Sequence, residues 1–331
     1  MRDIGMLIIS LGIILIGAEA FTNGIEWLGK RLRLGAGAVG SIFAAVGTAL
    51  PETMVPIMAI LGGVGPEGAE IGIGAILGAP FMLATVAFFI TGVSALVFRR
   101  RNLPLRLDPK VVNHDLQFFL IVYFLAIVAS FLPTQNLKNA TAVCLVAAYG
   151  VYVYQTIRDC KDDCQHEELA PLYMERNSSF PSTGMILVQI TLALVAIVFG
   201  ADRFVNAVQP IAVAIGVPVF VLSLIITPIA TELPEKFNSV LWVRKGKDTL
   251  AMGNLTGAMV FQSSVIPAIG IALTPWKLDP LALWSALLAL GAAVIPFISL
   301  RRRGEILPTT LLIGGAFYLS FIWTVVRFSI H

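Results

Sequence analysis

The stretch "TPIATELPEKF", residues 227–237, sits inside an apolar run that extends from about Ile211 to Trp242. Two prolines, two glutamates and a lysine interrupt what otherwise reads as a membrane-spanning helix. Charge is most expensive at that depth, so an ionisable residue there marks a functional site unless a partner explains it. Glu232, Glu235 and Lys236 are therefore the residues to explain.

The surroundings confirm the solvent. The 331 residues are 57% hydrophobic and 13% charged, about half the charge of an average soluble chain, and mean hydropathy is +0.86. Ten candidate spans follow from hydropathy and breaker signals: about 4–28, 36–61, 70–98, 115–132, 139–157, 184–208, 211–243, 249–273, 279–300 and 306–328. Each is long enough for a hydrocarbon core of roughly 30 Å. The first run contains Ala18-Glu19-Ala20, which resembles a leader-peptidase site. Because the run continues to Leu28, it is read as the first span.

Basic residues set the orientation. Seventeen of the 23 Lys and Arg fall in loops on one side, and four (Arg2, Lys138, Lys277, Arg327) on the side holding both termini. Positive loops mark the cytoplasmic face, so a plasma-membrane location with both termini outside is expected. Cys144 is read as packing within a span. Cys160, Cys164 and His166 lie in a polar linker, 158–183, without a fourth ligand at metal spacing, and that linker is read as solvated.

The second half repeats the first at an offset of 183. "GAEAFTN" (17–23) aligns with "GADRFVN" (200–206), and "GTALPE" (47–52) with "ATELPE" (230–235). With four extra residues in the first half, "GAILGAP" (74–80) aligns with "GNLTGAM" (253–259). Five spans per half is an odd number, so the second half enters the membrane from the opposite side. This gives the fold class: an all-α membrane protein of ten helices in two inverted five-helix repeats, 1–157 and 184–331, joined by the linker 158–183. Secondary transporters have this architecture, with ion sites at midplane between the repeats.

Proline removes a backbone donor and clashes with the preceding turn. Pro228 and Pro234 predict a broken seventh helix, and Gly47 with Pro51 a broken second one. Pro51 and Pro234 suit the first position of a restarted half-helix, which places Glu52 and Glu235 in its first turn, where the helix dipole favours a carboxylate. Carbonyls before the break and a carboxylate after it make an all-oxygen cradle for a hard cation such as Ca²⁺.

These motifs resemble the two repeats of the cation/Ca²⁺ exchanger superfamily, whose sodium/calcium branch carries Gly-Thr-Ser-Leu-Pro-Glu and then Gly-Asn-x-x-Gly-Ser-Asn. The resemblance covers nearly the whole chain. It implies that Glu52 and Glu235 coordinate the transported ion and that Thr48 and Thr231 help bind sodium. The departures are equally specific. The serine position is Ala49 in one repeat and Glu232 in the other, and the final Asn of the second motif is Pro80 and Met259. The earlier asparagine is Ala75 in the first repeat and remains as Asn254 in the second. Glu232 is expected to replace one missing oxygen, and Gln262, Ser263, Ser264 or Thr85 to supply others.

Glu52, Glu232, Glu235 and Lys236 carry a formal sum of −2, which suits one Ca²⁺, with Lys236 standing in for a monovalent ion or else paired elsewhere, for instance with Asp202. Glu19 and Asp202, matched by the offset, are read as orienting the first and sixth helices. Gly12, Gly17, Ala193 and Gly200 are read as the smooth face on which those helices slide.

The expected function is secondary active antiport of Ca²⁺ against Na⁺, with H⁺ as the alternative driving ion and a cation channel as a different class. An enzyme is disfavoured: there is no His-Glu-x-x-His motif, and by these boundaries no histidine lies within a span. No cofactor, nucleic acid or obligate protein partner is expected, only inorganic cations and the bilayer.

Overall fold

A computed structural model describes residues 2–31, 49–62, 65–99, 103–159, 170–176 and 180–329; within the helices, the side chains of 230 and 233–238 are among those left undescribed. All regular structure among the described residues is helical. We number the helices α1 (Arg2–Arg31), α2 (Leu50–Leu61), and α3, built from Gly65–Met82, a π-helical turn Leu83–Ala87 and Phe88–Arg99. Then follow α4 (Pro109–Ala129), α5 (Gln135–Asp159), α6 (Thr183–Ile215) and α7 (Val219–Arg244). The last three are α8 (Asp248–Leu273), α9 (Pro280–Arg303) and α10 (Pro308–Ser329). Among the described residues, eight helices are long and apolar enough to cross a membrane, and Leu50–Leu61 and Val219–Ile229 are shorter apolar pieces. The helices fall on the ten predicted spans, of which the second, 36–61, is described only from residue 49.

Local chemistry explains most boundaries. Asp108 accepts from Lys110 N and Asp279 from Ala282 N, each just before a proline at the first helical position, and Ser182 accepts from Met185 N. These are N-caps that satisfy otherwise orphaned amides. Gly216 (φ 70°) and Gly304 (φ 72°) end α6 and α9 in the left-handed conformation that glycine adopts without penalty. Pro210, read above as the gap between spans six and seven, lies inside α6 instead. A single proline costs one helical bond, whereas Gly216-Val217-Pro218 stops the chain with a left-handed cap and a second proline.

The α4 boundary also differs. The fourth span was expected from about 115, but the Asp108–Pro109 cap begins the helix six residues earlier. His114 therefore belongs to a span, contrary to the expectation that no span holds a histidine.

Two packing units are evident. The main core joins α3, α4, α5, α8, α9 and α10 with parts of α7, around Phe81, Phe119, Tyr123 and Phe321. Separate clusters tie α1 to α6, around Phe21, Ala193 and Ile197, and then to α2 and α7 through Ile14, Val55, Phe204 and Leu222. No helix pair is more extensive than α1 with α6. A Cβ on Gly17 would lie 2.9 Å from Ile197 Cγ1, and one on Gly200 3.0 Å from Ser10 O. Gly17, Ala193 and Gly200 thus bring α1 and α6 together rather than forming a face toward the core, and Gly12 meets nothing within 4 Å. Cys144, expected to pack inward, is exposed.

Part of the linker packs on the helices. Leu172 is fully buried against Trp27 and Ile186. Asn23 Nδ2 donates to the carbonyls of Ala170 and Pro171, and Tyr173 N and Met174 N donate to Asn23 and Gln189. Gln189 in turn donates to Ala20 O (2.8 Å) and Asn23 Oδ1 (3.0 Å). The segment 170–174 is a strap laid across α1 and α6, because two buried amides offer its backbone the partners that water would otherwise supply. Cys160, Cys164 and His166 lie outside the described residues.

A candidate ion site between four helices

Helices α2, α3, α7 and α8 pack pairwise on one another, and these four carry every site residue predicted above except Thr48. Glu52 stands in the first turn of α2, 5% exposed, with Pro51 beside it and Ala49 as the N-cap. Glu52 thus lies at the dipole-favoured N-terminal end of α2; the residues before Ala49, where the first part of a broken helix was expected, lie outside the described residues. On α7, Glu232 is fully buried and Thr231 nearly so. Thr48 lies outside the described residues, as do the side chains of Glu235 and Lys236.

Helix α7 is interrupted in its hydrogen-bond ladder rather than in its course. It runs as one helix from Val219 to Arg244, yet Pro228 and Pro234 each lack the N–H that a helix requires. Pro228 releases the carbonyl of Leu224, and Gly78 packs directly against it.

Serine and threonine hydroxyls complete the surroundings, all spending their single hydrogen on backbone. Thr231 Oγ1 donates to Thr227 O (3.1 Å), and Thr85 Oγ1 to Phe81 O (2.6 Å). Ser263 and Ser264 both donate to Val260 O, at 3.1 and 2.6 Å. A hydroxyl whose hydrogen is committed presents only lone pairs to its other side, which is what a cation requires of a neutral ligand. All four side chains are at most 4% exposed. Gln262 is 2% exposed, and its Oε1 has no hydrogen-bond partner among the described residues. Asn254 is half-buried, two turns before Gln262 on α8. Of the secondary candidates, Thr85, Gln262, Ser263 and Ser264 share the buried interior, whereas Asn254 does not.

Sequence reading missed two features. Thr85 occupies a π-helical turn, a local widening common at functional sites. Ser223, Thr227 and Thr231 follow one another at four-residue spacing, and Ser223 donates to Ile71 O of α3 at 2.7 Å. That spacing is visible in the sequence as a hydroxyl stripe along one helix face. Among the described residues, no three His, Cys, Asp or Glu side chains form a metal-binding group; the Glu235 side chain is not among them.

Comparison with known proteins places this arrangement. The profile of the family described as "Sodium/calcium exchanger protein" matches residues 3–158 and 185–328, two segments that coincide with the two halves. The putative antiporter CaxA of Alkalimonas amylolytica is 23% identical over 324 residues, covering 95% of this chain and 97% of its own. Among solved structures, the H⁺/Ca²⁺ exchanger CAX matches with a TM-score of 0.76 at 18% identity, over 98% of this chain and 82% of that one. The sodium-calcium exchanger NCX_Mj matches with a TM-score of 0.58 at 18% identity, over 97% and 98%. With 300 of its residues under the family profile, the chain belongs to the sodium/calcium exchanger family.

Proposed function

We propose that this protein is a secondary active antiporter that moves Ca²⁺ in exchange for Na⁺ by alternating access at the α2–α3–α7–α8 site. The observation that carries the reading is the pair of buried carboxylates, Glu52 and Glu232, on helices from opposite halves and among hydroxyls oriented as acceptors. Clustered carboxylates repel one another when the site is empty and occluded. The site crosses the membrane only when Ca²⁺ or competing monovalent ions neutralise it, and mutual exclusion of that kind is antiport.

Glu52 and Glu235 act as the symmetric ligands, with Glu232 added in the second half; Thr48, Thr231, Gln262, Ser263, Ser264 and Thr85 supply neutral oxygen. Lys236 takes the place of one monovalent cation. The helix pair α1–α6 moves against the remaining bundle, and both termini face outward from the cytoplasm.

Protons are the second reading for the driving ion. Pro80 and Met259 stand where the family motif has side-chain oxygen, which leaves fewer ligands for several sodium ions than a sodium-driven exchanger uses.

The test is ⁴⁵Ca²⁺ uptake into proteoliposomes under imposed Na⁺, K⁺ or H⁺ gradients, with Glu52→Gln and Glu232→Gln as controls. Uptake is expected to follow the Na⁺ gradient and to vanish in both variants. Uptake that ignores every gradient identifies a channel, and full activity in both variants removes the site. An unchanged ion preference in Lys236→Ala removes the surrogate role of the lysine.

A further inference from the structure

Another buried carboxylate lies away from this site. Asp115 is 3% exposed and sits two turns into α4, between α5 and α8. Its Oδ1 accepts from Tyr152 Oη at 2.9 Å, and its Oδ2 lies 2.6 Å from Thr256 Oγ1. His114 Nδ1 is 3.8 Å from Oδ1, and the imidazole side chain is one-third exposed. The His114 ring stacks on Tyr152 at 5.3 Å, and its Nε2 is 2.8 Å from Gln155 Oε1. With Gln155 presenting a carbonyl oxygen, Nε2 carries a hydrogen and Nδ1 of the neutral ring faces the carboxylate.

Counting hydrogens shows what the network is built for. Thr256 Oγ1 has one hydrogen and two acceptors in reach, Asp115 Oδ2 at 2.6 Å and Met252 O at 2.9 Å. When Asp115 is ionised, that hydrogen goes to Oδ2. When Oδ2 holds a proton, it donates to Thr256 Oγ1, and the threonine hydrogen turns to Met252 O. Tyr152 donates to Oδ1 in either state. A proton is gained or lost without leaving any group unsatisfied, so the usual cost of an orphaned buried polar atom does not arise.

We propose that Asp115 is a proton-binding site, separate from the ion site, loaded through His114 from the side of the basic loops. The proton reaches His114 Nδ1, passes to Asp115 by a small rotation of the ring or through one water, and leaves the imidazole in its starting tautomer. The net change is one proton from solvent to Asp115. Thr256 then relays the state to α8, the helix that carries Gln262, Ser263 and Ser264.

The ionisable groups around the carboxylate are few. On α4 they are His114, with Lys110 exposed one turn earlier and Tyr123 two turns deeper; α5 offers Tyr152 with Tyr149 stacked behind it at 6.0 Å. On α8 the nearest acid is Asp248, two turns toward the basic loops, where its Oδ2 accepts from Arg106 N. Helix α9 buries Ala289, Ala292, Ala293 and Pro296 and keeps Arg301, Arg302 and Arg303 exposed at its end.

The site is tested by infrared difference spectroscopy of the purified protein in lipid, titrated with acid, comparing wild type with Asp115→Asn. Asparagine keeps both hydrogen bonds and fixes the neutral state. The wild type is expected to gain a protonated-carboxyl band that Asp115→Asn lacks, and Thr256→Val, which removes the hydroxyl that receives the proton, is expected to shift that band. A band that persists unchanged in Asp115→Asn, or that ignores Thr256→Val should the asparagine variant not fold, overturns the proposal. The effect on transport rests on the exchanger reading: Asp115→Asn is expected to flatten the acid limb of the Ca²⁺ uptake profile. A band lost in Asp115→Asn from a protein that moves no cation leaves the proton site standing and overturns the exchanger reading.

Discussion

Gly78 of α3 lies against the carbonyl of Leu224 on α7, the carbonyl that Pro228 leaves without a helical donor. A Cβ on Gly78 would also come within 2.8 Å of Pro228 Cγ. The proline opens the ladder and the glycine lets a neighbouring backbone close over the gap, where a Cα–H can meet the exposed oxygen. One residue without the other would leave either a buried orphan carbonyl or a clash.

Gly78→Ala is therefore expected to separate α3 from α7 at this point. Overpacking of this kind costs about 1–3 kcal/mol. The melting temperature in detergent should fall. A neighbouring Ala79→Gly, which removes volume without a clash, provides the comparison for thermostability.

Gln262→Leu keeps the volume of the side chain and removes its amide oxygen. Its Oε1 accepts from no described group, so the native fold loses no known hydrogen bond at that atom. The apparent Ca²⁺ affinity is expected to weaken about tenfold, the equivalent of ~1.4 kcal/mol, with melting temperature in the absence of ions nearly unchanged. Concentration-dependent ⁴⁵Ca²⁺ uptake measures the first and differential scanning the second.

Gln189→Leu loosens the strap on the helices beneath it. The bonds to Ala20 O, Asn23 and Met174 N all disappear, leaving the Met174 amide without its acceptor and Asn23 Oδ1 with the Tyr173 amide alone. Each orphaned group costs about 1–3 kcal/mol when buried. Limited proteolysis should cleave within 170–176 in the variant far faster than in the wild type.

Tyr173 anchors the outer end of the strap by donating to Glu19 Oε1 at 2.7 Å. That hydrogen bond, with lesser help from burial, raises the phenol above its usual 10.0. A raised value means the neutral form is favoured by the fold, so the stabilisation is complete below pH 10 and is lost as pH climbs through the raised value. Ultraviolet titration of wild type against Tyr173→Phe should show this phenol ionising later than a free tyrosine, and Glu19→Gln should bring it back down.

Much of the architecture was readable in advance, for reasons that sit in particular residues. Leu-Pro-Glu occurs twice at the repeat offset and basic residues concentrate in alternate loops, so span number and inversion follow from sequence pattern and charge alone. Glu52, Glu232, Thr231, Ser263 and Ser264 are buried. The Asp115 network was not readable, because Tyr152 is 37 residues away and Thr256 is 141, and an isolated aspartate near a span end looks like a boundary. Asp108–Pro109 was the visible correction, since a cap followed by proline starts a helix whatever charges come next. The glycines misled for another reason: sequence shows that a face is small, and only packing shows which helix it meets. Gly17 and Gly200 meet each other's helices, and Gly12 meets none.

That pairing has a bearing on ancestry. Gly17 and Gly200 stand at the same position of the repeat, each at the head of its own half, and each finds its complement in the opposite half. A single five-helix chain would carry the pattern of both surfaces but no partner for either, unless a second copy lay beside it upside down. A half-length chain of this kind would need an antiparallel partner, and the two halves, produced as separate chains divided within 160–169, should find each other.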